Sequence, residues 1–296
     1  MKTFTYEGKD SFFKIINTIL LLLVVISIVL PVVYIIAASF MNPTVLINEG
    51  ISFDPNDWTI EGYLRVLADS SIIRGFINSF LYSLGFGLMN VLVTMSAAYP
   101  MSRKDLLFKK PLIAFFVITM FFGGGLVPTY LLIRNLGMLD TPWALILPGS
   151  LSVSHLLLAT VFVRGLPDEM MEAAKIDGAN DIQIFIKMIL PLSKPIMFVI
   201  FLYSFVGMWN SYFDAMIYIS SPELEPLQLV LRRILVQNQP QSNMIGAQTA
   251  MAEMQKIAEL IKYATIVVSS APLLIMFPFF QKYFEEGVIQ DRKSVV

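Results

Sequence analysis

Six stretches of this 296-residue chain run for about twenty residues or more with few or no charged side chains, near positions 15–40, 72–101, 111–133, 143–163, 189–219 and 261–284. That is the length an α-helix needs to cross the hydrocarbon core of a bilayer. The chain therefore reads as an all-α integral membrane protein with about six transmembrane helices. Composition agrees: 56% of residues are hydrophobic, 15% are charged and the mean hydropathy is +0.70, a balance that soluble domains seldom show. One membrane domain, residues 1–296, is the expected organisation.

The distribution of Lys and Arg orients these runs. With the N-terminus in the cytoplasm, fourteen Lys and Arg residues fall on the inner side, among them Lys9, Arg103, Lys104, Arg164 and Lys175, and seven on the outer side. This two-to-one excess satisfies the positive-inside rule with both termini cytoplasmic. The first apolar run follows Lys2, Lys9 and Lys14 and is longer than the roughly 7–15 residues of a signal-peptide core, so it reads as a retained span. A net charge of −1 argues against a nucleic-acid partner, and a chain without cysteine has neither disulfides nor thiolate metal sites.

Two external segments, 41–71 and 220–260, are long enough to have shapes of their own. The first carries Asn42-Pro43, Asp54-Pro55 and Asn56-Asp57, which read as turns at the membrane surface. The second reads as a turn at Pro222 and Pro226, a helix over 227–236, a polar break over 237–243 and a helix-prone stretch over 247–260.

The inner loop 164–188 is the most structured by its sequence. Pro167 suits the first position of a helix, and Asp168 and Glu169 suit the positive end of its dipole. Gly178 can take the left-handed conformation that ends it. Asn180 or Asp181 can cap a second helix leading through Phe185 to Pro191. The product is a bent helix-turn-helix elbow, which could equally be a solvated connector between two spans.

Catalytic patterns are absent. The chain has no phosphate-binding loop, no His-Glu-x-x-His and no Gly-x-Ser-x-Gly. Gly123-Gly124-Gly125 lies inside the third run and reads as close helix packing or as a break. His155, the single histidine, reads as a hydrogen-bonded residue facing neighbouring helices. Trp209, Asn210, Tyr212 and Asp214, late in the fifth run, suggest sugar recognition: aromatic faces pack on the C–H faces of pyranose rings, and amide and carboxylate groups pair with hydroxyls. An interfacial aromatic belt explains the same residues. On one continuous helix Trp209 and Tyr212 share a face, as do Asn210 and Asp214, and the second pair is expected to face the pore because burying it against lipid costs more.

Within the elbow, Glu172-Ala173-Ala174, three residues, Gly178, nine residues, Met188, one residue and Leu190-Pro191 resemble the Glu-Ala-Ala loop of bacterial ABC-importer membrane subunits, with Met188 in place of that pattern's Ile. Residues 121–130, 136–141, 209–214 and 279–284 extend the resemblance to carbohydrate-uptake permeases, similar to the second membrane subunit of maltose-type systems and closest to the branch that imports oligosaccharides or polysaccharide fragments. The ending after Gly287 departs from the Gly-rich ending of such subunits.

The resemblance implies a type I ABC importer in a bacterial inner or plasma membrane. This chain, a homologous second permease, an ABC ATPase dimer and an extracellular substrate-binding protein assemble around an oligosaccharide path within membrane lipids. No cofactor is expected in the chain itself, because ATP and magnesium would bind the ATPase. The resemblance assigns docking to Glu172, Ala173, Ala174, Asp177, Gly178 and Ala179, and the inferred orientation puts that loop in the cytoplasm, where ATP is. An ion-coupled secondary transporter or a membrane-embedded enzyme are the alternatives. The spans offer them little beyond Asp214 and His155.

Overall fold

A computed structural model describes residues 7–237, 258 and 261–275, and among these every regular element is helical. The expected helix over 247–260, the end of the last apolar run and the tail after Gly287 lie wholly or largely outside the described residues. The chain divides into two compact units, one of residues Met1–Asp69 with Ile234–Ser270, the other of Ser70–Arg233 with Ala271–Val296.

In the first unit, helix α1 (Glu7–Ser39) is 33 residues long and carries exposed Leu, Ile and Val on all sides from Phe13 to Ile36, the pattern of a helix surrounded by lipid. Its end is fixed by Ser39 Oγ, 2.6 Å from Tyr63 Oη, and by the rings of Phe40 and Tyr63, 5.0 Å apart. The two X-Pro pairs are helix starts rather than free turns. Asn42 Oδ1 accepts from the Thr44 amide to cap α2 (Pro43–Asn48), and Asp54 Oδ1 accepts from the Asn56 amide to cap a 3₁₀ turn over Pro55–Asp57. Helix α3 (Glu61–Ala68) follows.

The second unit is built on α4 (Ser70–Ser102), which packs against α8 (Val153–Arg164) and α12 (Lys194–Asn210). Small residues make this possible. Gly75, Ser79, Ser83, Gly87, Asn90, Thr94 and Ala98 recur every three or four residues along one buried stripe. A Cβ added at Gly87 would stand 2.8 Å from the Phe201 ring on α12. Serine and asparagine on the same helix also take up backbone groups elsewhere: Asn78 Nδ2 donates to the Glu223 and Glu225 carbonyls at 2.8 and 3.0 Å, and Ser79 Oγ accepts from the Leu227 amide at the start of α14 (Leu227–Gln237).

Two described helices, Phe13–Ser39 and Ser70–Ser102, are long and apolar enough to span a membrane, or four if each of two bent pairs counts as one span. Three of the expected spans are therefore not continuous helices. The run at 111–133 is α5 (Lys109–Phe121) and α6 (Leu126–Asn135), bent by 109° about Phe122–Gly125. Gly125 has φ +86, and Cβ atoms at Gly123 and Gly124 would meet nothing within 4 Å, so the glycines break the helix rather than admit a neighbour. The run at 143–163 is a single turn α7 (Trp143–Ile146), an irregular stretch containing Pro148-Gly149, and α8.

The run at 189–219 is α12, a break at Ser211-Tyr212, and α13 (Phe213–Tyr218). Just past this run Asp140, at φ +57, accepts from the Ser220 and Ser221 amides and from the Ser221 hydroxyl, and donates its own amide to the Tyr218 carbonyl. Those hydrogen bonds, led by the Ser221 hydroxyl, hold its carboxyl below the usual carboxylate range. Helix α15 (Ile261–Ile275) is the last described element.

Candidate functional site

The elbow forms where the sequence places it, through local capping. Pro167 is the residue before the helix, extended at ψ 125, and not its first turn; α9 spans Asp168–Ile176. Gly178, at φ +83, donates to the Lys175 carbonyl while Ala179 donates to the Ala174 carbonyl, both at 3.0 Å. Together these bonds make a complete Schellman stop. Asn180 then caps α10 (Asp181–Ile184) in a reciprocal box with Gln183. A single π turn, Phe185–Ile189, and α11 (Leu190–Leu192) carry the chain into α12 across a 75° bend.

One side of the elbow is anchored and the other is open. Ile184 and Ile189 are buried with Met95, Ala98, Leu156, Val163 and Ile200, and Phe185 stacks on Tyr99 at 5.4 Å. Of the expected docking residues, Ala174 and Ala179 pack half-buried against this core, whereas Glu172, Ala173, Asp177 and Gly178 are exposed. Met170, Ile176 and Ile182 are exposed beside them, Ile176 at 86%.

Ion pairs add a second anchor from the end of α4, one that motif reading missed. Arg103 pairs with Asp105 and with Asp181, the first residue of α10, and Lys104 pairs with Asp168, the first residue of α9. Hydrogen bonding to Asp105, ahead of that to Asp181, raises the Arg103 pKa despite burial. The same contact holds the Asp105 carboxyl at about 2, and the Asp168 hydrogen bond raises Lys104. Glu172 and Lys175 sit across a cleft of 200 Å³ from these residues.

The second candidate site is a cavity of 470 Å³ between α4, α6, α8, α12 and α13, within the size range of small-ligand pockets. Asn90, His155, Tyr203, Ser211 and Asp214 supply much of its polar lining. Asn90 lies twelve residues before the end of α4, about 18 Å up the helix from the elbow side. Its Oδ1 lies 3.1 Å from His155 Nδ1 and accepts from Thr94 Oγ1 at 3.2 Å.

Of the four residues expected to contact sugar, Asp214 alone lines this cavity. Trp209 is 0% exposed, with Phe76 edge-on at 5.4 Å and Phe205 stacked at 6.1 Å, so its faces are occupied by the fold itself. Asn210 is exposed and donates to the Val206 carbonyl one turn back. Tyr212 lies under the Arg232 guanidinium at 5.0 Å. The expected pairing of Asn210 with Asp214 on one face fails because the helix stops at Asn210 and restarts at Phe213.

Comparison with known proteins places this geometry. The profile described as binding-protein-dependent transport system inner membrane component matches residues 10–290. The polygalacturonan/rhamnogalacturonan transport system permease protein YtcP of Bacillus subtilis is 33% identical over 285 residues, covering 95% of this chain and 98% of the relative. Protein LplC of the same species is 34% identical and covers 88% of each chain. Among solved structures, a bacterial ABC transporter involved in the import of the acidic polysaccharide alginate matches with a TM-score of 0.84 at 28% identity, over 95% of this chain and 100% of the other.

Proposed function

The chain belongs to the family of binding-protein-dependent transport system inner membrane components, and from that premise we propose that it carries oligosaccharides or polysaccharide fragments while its elbow docks on a separate ATPase. It is a membrane transport permease, not an enzyme. The observation that carries the docking half is the elbow's division into an anchored side and an open side. Ile184, Ile189 and two ion pairs bind it to α4 and α8, and it presents Glu172, Ile176, Gly178 and Ile182 outward. A protein-sized partner explains exposed isoleucines next to an exposed carboxylate better than water or lipid does. The carbohydrate half rests on the cavity's polar lining and on the polysaccharide cargo in the relatives' names.

In this reading the assembly holds this chain, a homologous permease, two ATPase subunits that bind ATP and magnesium, and an external binding protein. Both termini and the elbow face the cytoplasm, consistent with the two-to-one excess of Lys and Arg on that side. Closure of the ATPase pair displaces the elbow, and the elbow moves the helices to which it is tied.

The test is retention of the ATPase. Glu172→Ala, which leaves its docking partner's charge unpaired at a cost of about 2–5 kcal/mol, and Ile176→Arg should each reduce ATPase co-purification and substrate-stimulated hydrolysis, with permease abundance in the membrane unchanged. Wild-type retention and stimulation in both variants would remove docking from this loop.

A further inference from the structure

The cavity's hydrogen-bonding character is set by Asn90. Its side chain is 1% exposed, and its Oδ1 faces both Thr94 Oγ1, which donates to it, and His155 Nδ1. The opposite amide orientation would set Oδ1 against the Gly149 carbonyl, 3.5 Å from the present Nδ2. An amide oxygen can only accept. The His155 proton therefore sits on Nδ1, and in the neutral ring this leaves Nε2 as an acceptor on a half-buried imidazole that lines the cavity beside Tyr203. Asp214, the other strong polar group of the lining, is also acceptor-only when ionised, and it has no ion pair among the described residues.

Two further features point to a ligand. Ser204 Oγ is buried at the cavity wall with no hydrogen-bond partner among the described residues, a state that native proteins seldom leave unexplained. The ring of Tyr203 is largely exposed and offers an apolar face. Among the described residues, none of the sixteen that line the cavity is Lys or Arg.

We propose that this cavity is a sugar subsite selective for neutral, hydroxyl-bearing units over uronate units. His155 Nε2 and Asp214 accept from ligand hydroxyls, and Tyr203 supports a pyranose face. A sugar hydroxyl donates to either acceptor. A uronate carboxylate donates to neither, meets ionised Asp214 as a like charge and finds no cation among the described lining residues. The inference rests on the reading of the chain as a carbohydrate permease and adds the class of sugar.

The assembled transporter tests it, with this naturally cysteine-free chain carrying Ser211→Cys as a cavity reporter and the other subunits freed of cysteine. Protection of that thiol from a water-soluble reagent is measured with maltotriose and with trigalacturonate. Maltotriose should protect at about tenfold lower concentration. Asp214→Asn should shrink that ratio severalfold. His155→Phe should weaken maltotriose protection, and His155→Gln, which restores an acceptor, should recover part of it. Equal or better protection by trigalacturonate, or a ratio unmoved by Asp214→Asn, overturns the selectivity while leaving the carbohydrate reading standing. Protection by neither sugar overturns both.

Discussion

Gly178 permits a sharp test of what the elbow's turn requires. Its φ is +83, and a Cβ built there would meet nothing within 4 Å, so in the free chain a side chain at this position costs backbone strain and nothing else. A left-handed residue with a Cβ costs about 1–2 kcal/mol, and alanine recovers about 0.4–1 kcal/mol of that by restricting the unfolded chain. Gly178→Ala should then weaken the elbow by about 1 kcal/mol. Gly178→Asn should cost less, because asparagine tolerates this conformation, and Gly178→Val more, because branching at Cβ makes positive φ a true outlier. Hydrogen exchange of the Ala179 amide, which donates to the Ala174 carbonyl, reads this order directly in the purified permease. Stimulated ATPase activity of the assembled transporter reads a different quantity. If the ATPase approaches the turn closely, asparagine should uncouple nearly as well as valine despite its mild effect on exchange. Equal exchange in all four proteins would refute the strain argument, and wild-type coupling in Gly178→Asn would show that the turn is not closely covered.

Gly87→Ala should destabilise the purified permease by about 1–3 kcal/mol, since its Cβ falls 2.8 Å from the Phe201 ring and α4 must move off α12; Gly124→Ala, with open space around it, is the control, and equal melting temperatures would refute the packing argument. The Arg103–Asp105 contact gives a pH signature: a carboxyl held at about 2 against an ordinary value near 3.8 contributes stability that is complete above about pH 4 and is lost as pH falls towards 2. The melting-temperature gap between wild type and Arg103→Gln should therefore be flat above pH 4 and close below it, and a gap that widened in acid would contradict the assignment.

The helical class and the first two spans were legible because α1 and α4 realise their apolar runs as single helices. The next three runs have the same apolar character but contain Gly123-Gly124-Gly125, Pro148-Gly149 and Ser211-Tyr212. Run length measures transfer into lipid and does not register where a helix breaks. The elbow was readable in detail because capping is local chemistry. Gly178, Asn180 and Gln183 act within five residues of one another, and only Pro167 falls one position from where it is expected.

The cavity was less legible for the same physical reason. Facing along 209–214 follows from periodicity only on a continuous helix, and the break at Ser211-Tyr212 cancels it. Trp209 was assigned to sugar by its chemistry, but an indole large enough to cover a pyranose ring also fills the space between Phe76 and Phe205. Asn90 and Thr94 went unread although the signal was present. They belong to the small and polar stripe on α4, and in an otherwise apolar run such polar members mark either a helix interface or a path.

That stripe joins the two candidate sites through one rigid element. Arg103 and Lys104, directly after α4, hold the first residues of both elbow helices, while Asn90 on the same helix orients His155 in the cavity about 20 Å away. Gly87 and Ser83, buried on the stripe, let α12 lie close along it, so α4 cannot shift relative to α12 without repacking Phe201. A displacement of the elbow would reach the cavity wall through α12 by the backbone beyond Pro191, and through α4 by ion pairs that are weaker links because Lys104, Asp168 and Asp181 are exposed. Packed interfaces of this kind switch between discrete arrangements rather than deform continuously. Helices joined through such interfaces would carry a movement of the elbow to the cavity in steps.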